Sequence, residues 1–127
     1  MTEAEQWAED LLRYADRLSS PVNEKLSLSA ELHEELCRLI HRFQVKEDLS
    51  QGLSNQVQYP PDWDNLGAAV QTPDPHVLLD NMWGWVSTGR WVDEPLTDIH
   101  GHGWLVPALR RLAQHAPDLQ LEPGVDY

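Results

Sequence analysis

The chain reads as an all-α protein: a single compact bundle of four to five helices with a long, ordered, proline-rich loop. Three observations predict this. Apolar residues recur at helical spacing in several separate stretches. Capping residues, prolines or glycines bound those stretches. No sustained run of alternating strand residues is present, although VQY (57–59) and RWV (90–92) could pair briefly. The 127 residues suffice for one domain with one ordinary core. Within it, a helical hairpin over about 2–45 precedes an acidic, tryptophan-rich half over about 46–127.

Thr2 and Glu5 have capping-box spacing, and Trp7, Leu11, Tyr14 and Leu18 then share one helical face. Ser19, Ser20 and Pro21 stop this helix. A second begins near Ser27 or Ser29 and carries the stripe Leu32, Leu36, Leu39, Ile40 and Phe43, with Glu34 and Arg38 paired on its wet side. The two are expected to pack as an antiparallel hairpin. A short third helix over 46–58 would use Leu49, Leu53 and Val57, weakened by Gly52.

The stretch YPPDWDNLGAAVQTPDP (59–75) holds four prolines and is expected to be an ordered loop, because Tyr59, Trp63, Leu66 and Val70 are costly to leave in water. Asp74 and Pro75 open the next helix, which is apolar around most of its circumference and therefore central or shared. The last helix starts near Gly103 or Trp104, tolerates Pro107 in its first turn and buries Leu105, Leu109, Leu112 and Ala116 before Pro117 closes it. The tail DLQLEPGVDY is expected on the surface.

Charge is the loudest global signal. Twenty-one acids against nine bases give −12, which repels nucleic acid and anionic lipid and draws in basic partners. The acidity is regional. Between Glu47 and Leu109, nine acids (Glu47, Asp48, Asp62, Asp64, Asp74, Asp80, Asp93, Glu94, Asp98) meet a single base, Arg90. The lone Cys37 rules out an intramolecular disulfide, and the acidic opening MTEAEQWAED has no hydrophobic signal core. A cytoplasmic protein with no membrane contact is expected.

Two constellations invite chemistry. In TDIHGHGW, Asp98, His100 and His102 alternate, so an extended segment could turn a carboxylate and two imidazoles toward one zinc or iron ion. Gly101, Gly103 and the helix that follows instead favour a turn, and no second ligand cluster supports the metal. His33, Cys37 and His41 lie at i, i+4 and i+8, but two such steps span about 12 Å, so one ion could reach only two of them. Cys37 is expected as a boundary hydrophobe with half-exposed histidines beside it. No nucleophile elbow, phosphate loop, zincin motif or dinucleotide fingerprint occurs, so neither catalysis nor a cofactor is expected.

Binding features are stronger. Five of the six tryptophans, Trp63, Trp83, Trp85, Trp91 and Trp104, fall within the acidic half. At least two or three are expected in the core. The remainder, among carboxylates, have the composition of a surface that holds a basic partner. Asp62, Trp63, Asp64, Asp93, Glu94 and Asp98 are the expected contacts, because they sit in proline-bounded stretches.

In size, acidity, absence of disulfides and helical layout, the chain resembles bacterial toxin-immunity proteins. The resemblance implies a heterodimer that neutralises a cognate basic toxin such as a nuclease, and it carries no residue-level role. Three rivals remain: a homodimeric secretion chaperone or adaptor for a basic effector, with the Trp83/Trp85 helix as its self-interface; a DNA-mimic inhibitor; and a small metal-dependent enzyme at Asp98, His100 and His102.

Overall fold

Helix α1 (Glu3–Leu18) starts where the Thr2 hydroxyl accepts the Glu5 N–H at 3.1 Å, which satisfies one of the donors a helix start leaves open. Its apolar face is buried through Trp7, Leu11, Tyr14 and Leu18, and Ser19 closes it. The computed structural model describes residues 2–19, 30–53, 66–88 and 103–124, with the side chains of 30–33, 53, 66, 87 and 88 left aside. The remaining elements are α2 (Ala30–Ile40), β1 (Phe43–Val45), α3 (Glu47–Leu53), α4 (Leu66–Val70), α5 (Pro75–Thr88), α6 (Leu105–His115), a 3₁₀ turn (Ala116–Asp118) and β2 (Leu121–Pro123).

Two of these elements correct the all-α expectation: the protein is mostly helical but contains a two-stranded antiparallel ribbon. Phe43 does not extend the second helix. That helix ends at Ile40, the chain turns through His41 and Arg42, and Phe43 pairs with Pro123, Gln44 with Glu122 and Val45 with Leu121. The tail is therefore not merely a surface appendage. Leu119 and Leu121 pack on the core, and their alternation with Gln120 and Glu122 suits a half-buried strand. The loop expected over 59–75 also holds a helix, α4, with Val70 buried. Ser27, Ser29, VQY and RWV lie outside the described residues.

α2 runs antiparallel to α1. Arg17 meets Glu35 at one end, while Arg42 meets Asp10 and the Trp7 indole donates to the Leu39 carbonyl at the other. The more extensive partner of α1 is nevertheless α6. Ala8, Leu11, Ala15 and Leu18 of α1 and Leu105, Ala108, Leu109 and Leu112 of α6 belong to one buried cluster. Small alanines on both helices suit close packing there.

α5 is central, packing against α2, α3, α4, α6 and β1. Leu78, Leu79, Met82, Trp85 and Val86 have almost no exposed surface. Asn81 is buried with them and satisfies its amide on the Val77 carbonyl at 3.1 Å. Side chains at the last helix also hold α4 in place. Arg111 donates to the Val70 carbonyl at the end of α4, and the Trp104 indole lies over Gly67, where any side chain would collide with it. No helix among the described residues is long and apolar enough to cross a membrane.

Candidate functional site

The expected contact residues Asp62, Trp63, Asp64, Asp93, Glu94 and Asp98 lie outside the described residues, as do His100 and His102. Of TDIHGHGW, the described pair is Gly103 and Trp104. Gly103 has φ +82°, a left-handed conformation suited to glycine, and Trp104 caps α6. That part of the motif is a turn into the final helix.

The second constellation needs correcting. Cys37 and His41 are not boundary residues: Cys37 is fully buried and His41 is 5% exposed. The His41 imidazole lies flat against the Trp83 indole, ring centres 4.0 Å apart. The side chain of His33 lies outside the description. Among the described residues, no group of three or more His, Cys, Asp or Glu side chains could hold a metal ion.

An open cavity of about 440 Å³ lies where β1, β2, α3 and α5 meet. The described residues lining it include three carboxylates, Glu47, Asp80 and Glu122, and no base. Trp83 contributes an aromatic wall, and Gln44, Ser50 and Gln51 contribute polar rims. Each piece is placed by the fold. Gln44 stands opposite Glu122 in the ribbon and donates to its carboxylate at 2.6 Å. Ser50 of α3 donates to Asp80 of α5 at 2.9 Å. The Trp83 indole N–H donates to the Phe43 carbonyl at 2.9 Å, which ties the aromatic wall to the start of β1.

Half-burial pushes the Asp80 carboxyl above its usual range, more than the Ser50 hydrogen bond and the nearby His76 bring it down. Three acids gathered among the described residues of one pocket suit a cation, and the indole adds apolar surface and a ring face for a lysine or arginine side chain. Sequence reasoning counted Asp80, Glu47 and Trp83 within the acidic half but did not join them to Glu122. That residue comes from the tail, and only the ribbon brings it close.

A second groove, between α1 and α2, has the opposite character. Arg13, Arg17, Arg38 and Arg42 line it, with Asp10, Glu34 and Glu35 among them. Arg17 meets Glu35 at 2.7 Å, Arg38 meets Glu34 at 2.6 Å and Arg42 meets Asp10 at 2.6 Å. The Arg42 hydrogen bond holds the Asp10 carboxyl below its usual range despite some burial. Two of these ion pairs, Arg17–Glu35 and Arg42–Asp10, cross from α1 to the α2 side, so the groove works in part as their joint.

Asp74 and His76 imitate a catalytic pair. The Asp74 carboxylate stands 2.7 Å from His76 Nδ1, but Nε2 accepts the backbone N–H of Gln120 at 2.9 Å. A base needs that nitrogen for substrate, and here the fold has taken it. The pair is structural.

No protein-family model, curated protein or solved structure matches the chain, and the functional reading therefore rests on its own side chains.

Proposed function

We propose that this protein is a binding protein for a basic macromolecule, acting as an immunity protein that captures and neutralises a cognate basic toxin. The observation that supports it most directly is the pocket of Glu47, Asp80 and Glu122 around Trp83. It offers a lysine or arginine of the partner both charge and an aromatic surface. Around this anchor, the net charge of −12 steers encounter, and association rates rise toward ~10⁸ M⁻¹s⁻¹ when potentials match. Asp62, Asp64, Asp93, Glu94 and Asp98, with Trp63, extend the acidic surface in the proposal on the strength of their sequence alone.

The chaperone alternative loses part of its basis. Its self-interface used Trp83 and Trp85, but Trp85 is 1% exposed and covered by its own chain. Among the described residues, no group of His, Cys, Asp or Glu side chains supports the metal-enzyme alternative, and its own candidates Asp98, His100 and His102 lie outside them.

The test begins with the protein bound by a tagged copy of this chain in its native cell. The reading expects a basic protein that is toxic when expressed alone and harmless when co-expressed with this chain. Binding should weaken steeply with salt. The double reversal Glu47→Lys/Glu122→Lys should slow association at least about tenfold while the circular-dichroism spectrum stays unchanged. A captured partner without excess positive charge, or binding indifferent to salt and to both reversals, would refute it.

A further inference from the structure

Gln120 sends its backbone N–H out of the ribbon. In the ladder, the Lys46 N–H donates to the Gln120 carbonyl at 3.1 Å. The return bond of such an antiparallel pair ends on the Lys46 carbonyl. That carbonyl is already the first acceptor of α3, taking the N–H groups of Leu49 and Ser50 at 3.0 and 2.9 Å. The Gln120 N–H goes to His76 Nε2 instead. A ring nitrogen accepts only when it carries no proton, so the hydrogen of this imidazole sits on Nδ1 and points at the Asp74 carboxylate. One tautomer of the neutral ring satisfies both neighbours.

A second proton can enter only at Nε2, where it meets the Gln120 N–H head on. We infer that proton uptake by His76 detaches the Gln120 amide, unfastens the leading end of β2 from the N-terminus of α5, and so loosens the wall of the acidic pocket that carries Glu122. Its bearing on partner capture rests on the reading of that pocket given above.

Charged groups surround the ring. Asp74 stands 2.7 Å from Nδ1. Asp80, one turn along α5, also acts on the ring. From the ribbon side the ring meets the backbone of Gln120, whose chain neighbours include Asp118 and Glu122 and whose ladder partner is Lys46. Gln120 is exposed, so water accepts its N–H once the ring lets go. The Gln120 bond requires the neutral ring.

The free, full-length protein tests this by nuclear magnetic resonance between pH 8 and pH 5, without any partner, so its outcome is separate from that of the toxin reading. The His76 ring signals and the Gln120 amide should move with one midpoint. Over the same interval the Lys46 amide should lose about tenfold of its exchange protection, and the Gln44 side-chain amide should shift as its Glu122 partner moves. In His76→Phe the Lys46 amide should be equally weakly protected at both ends of the range. A His76 ring that titrates while the Gln120, Lys46 and Gln44 signals stay in place would overturn the inference. So would a Lys46 amide whose protection falls with pH in His76→Phe as it does in the wild type.

Discussion

Trp83 and His41 lie face to face, 14° from parallel, and the same indole donates its N–H to the Phe43 carbonyl two residues beyond the histidine. Trp7 approaches this corner as well, donating to the Leu39 carbonyl and tilting against the Phe43 ring at 5.0 Å. Two indoles thus fix the place where helix α2 becomes strand β1. Trp83→Phe keeps an aromatic ring against His41 but leaves the Phe43 carbonyl without its donor. It should cost about 1 kcal/mol in urea unfolding. Trp83→Ala should cost distinctly more, about 2–4 kcal/mol, because the packing is lost too.

Gly124 closes the ribbon by donating its N–H to the Arg42 carbonyl at 3.0 Å. A side chain at this position would overlap the backbone carbonyl of His41, which cannot swing aside as a long side chain could. Gly124→Ala should therefore destabilise by about 1–3 kcal/mol, read as a lower melting temperature. Gly52 is the internal control. It sits in α3 with open space around it, so Gly52→Ala should raise stability by up to about 1 kcal/mol.

Asp80 should show a conflict between stability and binding. Its folded-state pKa is raised by burial, so the charged carboxylate is less welcome in the folded protein than in the unfolded chain. The penalty is present at neutral pH and is relieved as the pH falls through the raised value. Asp80→Asn keeps an oxygen for Ser50 and should melt higher than wild type at pH 7, with the gain vanishing near pH 4. The same change should weaken capture of a basic partner, measured by calorimetry at pH 7.

Asp74 has the opposite sign. Burial raises its pKa, but the backbone and ring hydrogen bonds from His76 outweigh it and the net shift is downward. Its stabilisation is fully present above the unfolded value of about 3.9 and is lost as the pH falls through the lower folded value. Asp74→Ala removes the group that receives the His76 N–H at the start of α5. It should cost about 1–2 kcal/mol at pH 7, and the difference from wild type should shrink toward pH 2 in acid-unfolding curves.

How legible these features were in the sequence depended on how local their causes are. Thr2 with Glu5, and Asp74 with Pro75, announce helix starts because the cap and its target lie within three residues. The near-continuous apolar circumference of α5 announced its central position because periodicity alone reports burial on every side. The ribbon stayed hidden: Phe43 fits a helical stripe as well as a strand, and its partner Pro123 is eighty residues away. Leu119, Gln120, Leu121 and Glu122 do alternate, but four residues make a weak signal until a second strand meets them. The acidic character of the site could be read from composition. Its assembly from Glu47, Asp80 and Glu122 could not, because it depends on the same long-range pairing.

The position of Pro123 bears on solubility. Bonds at Arg42–Gly124 and Lys46–Gln120 set the alternation of the ladder, which turns the backbone of residue 123 toward the outer edge of β2. A proline there has no N–H to present to a passing chain. With only three residues per strand, the exposed margin is a poor template for a third strand. At high concentration, edge-to-edge aggregation through this ribbon is thereby disfavoured, and Pro123→Val would open the edge to it.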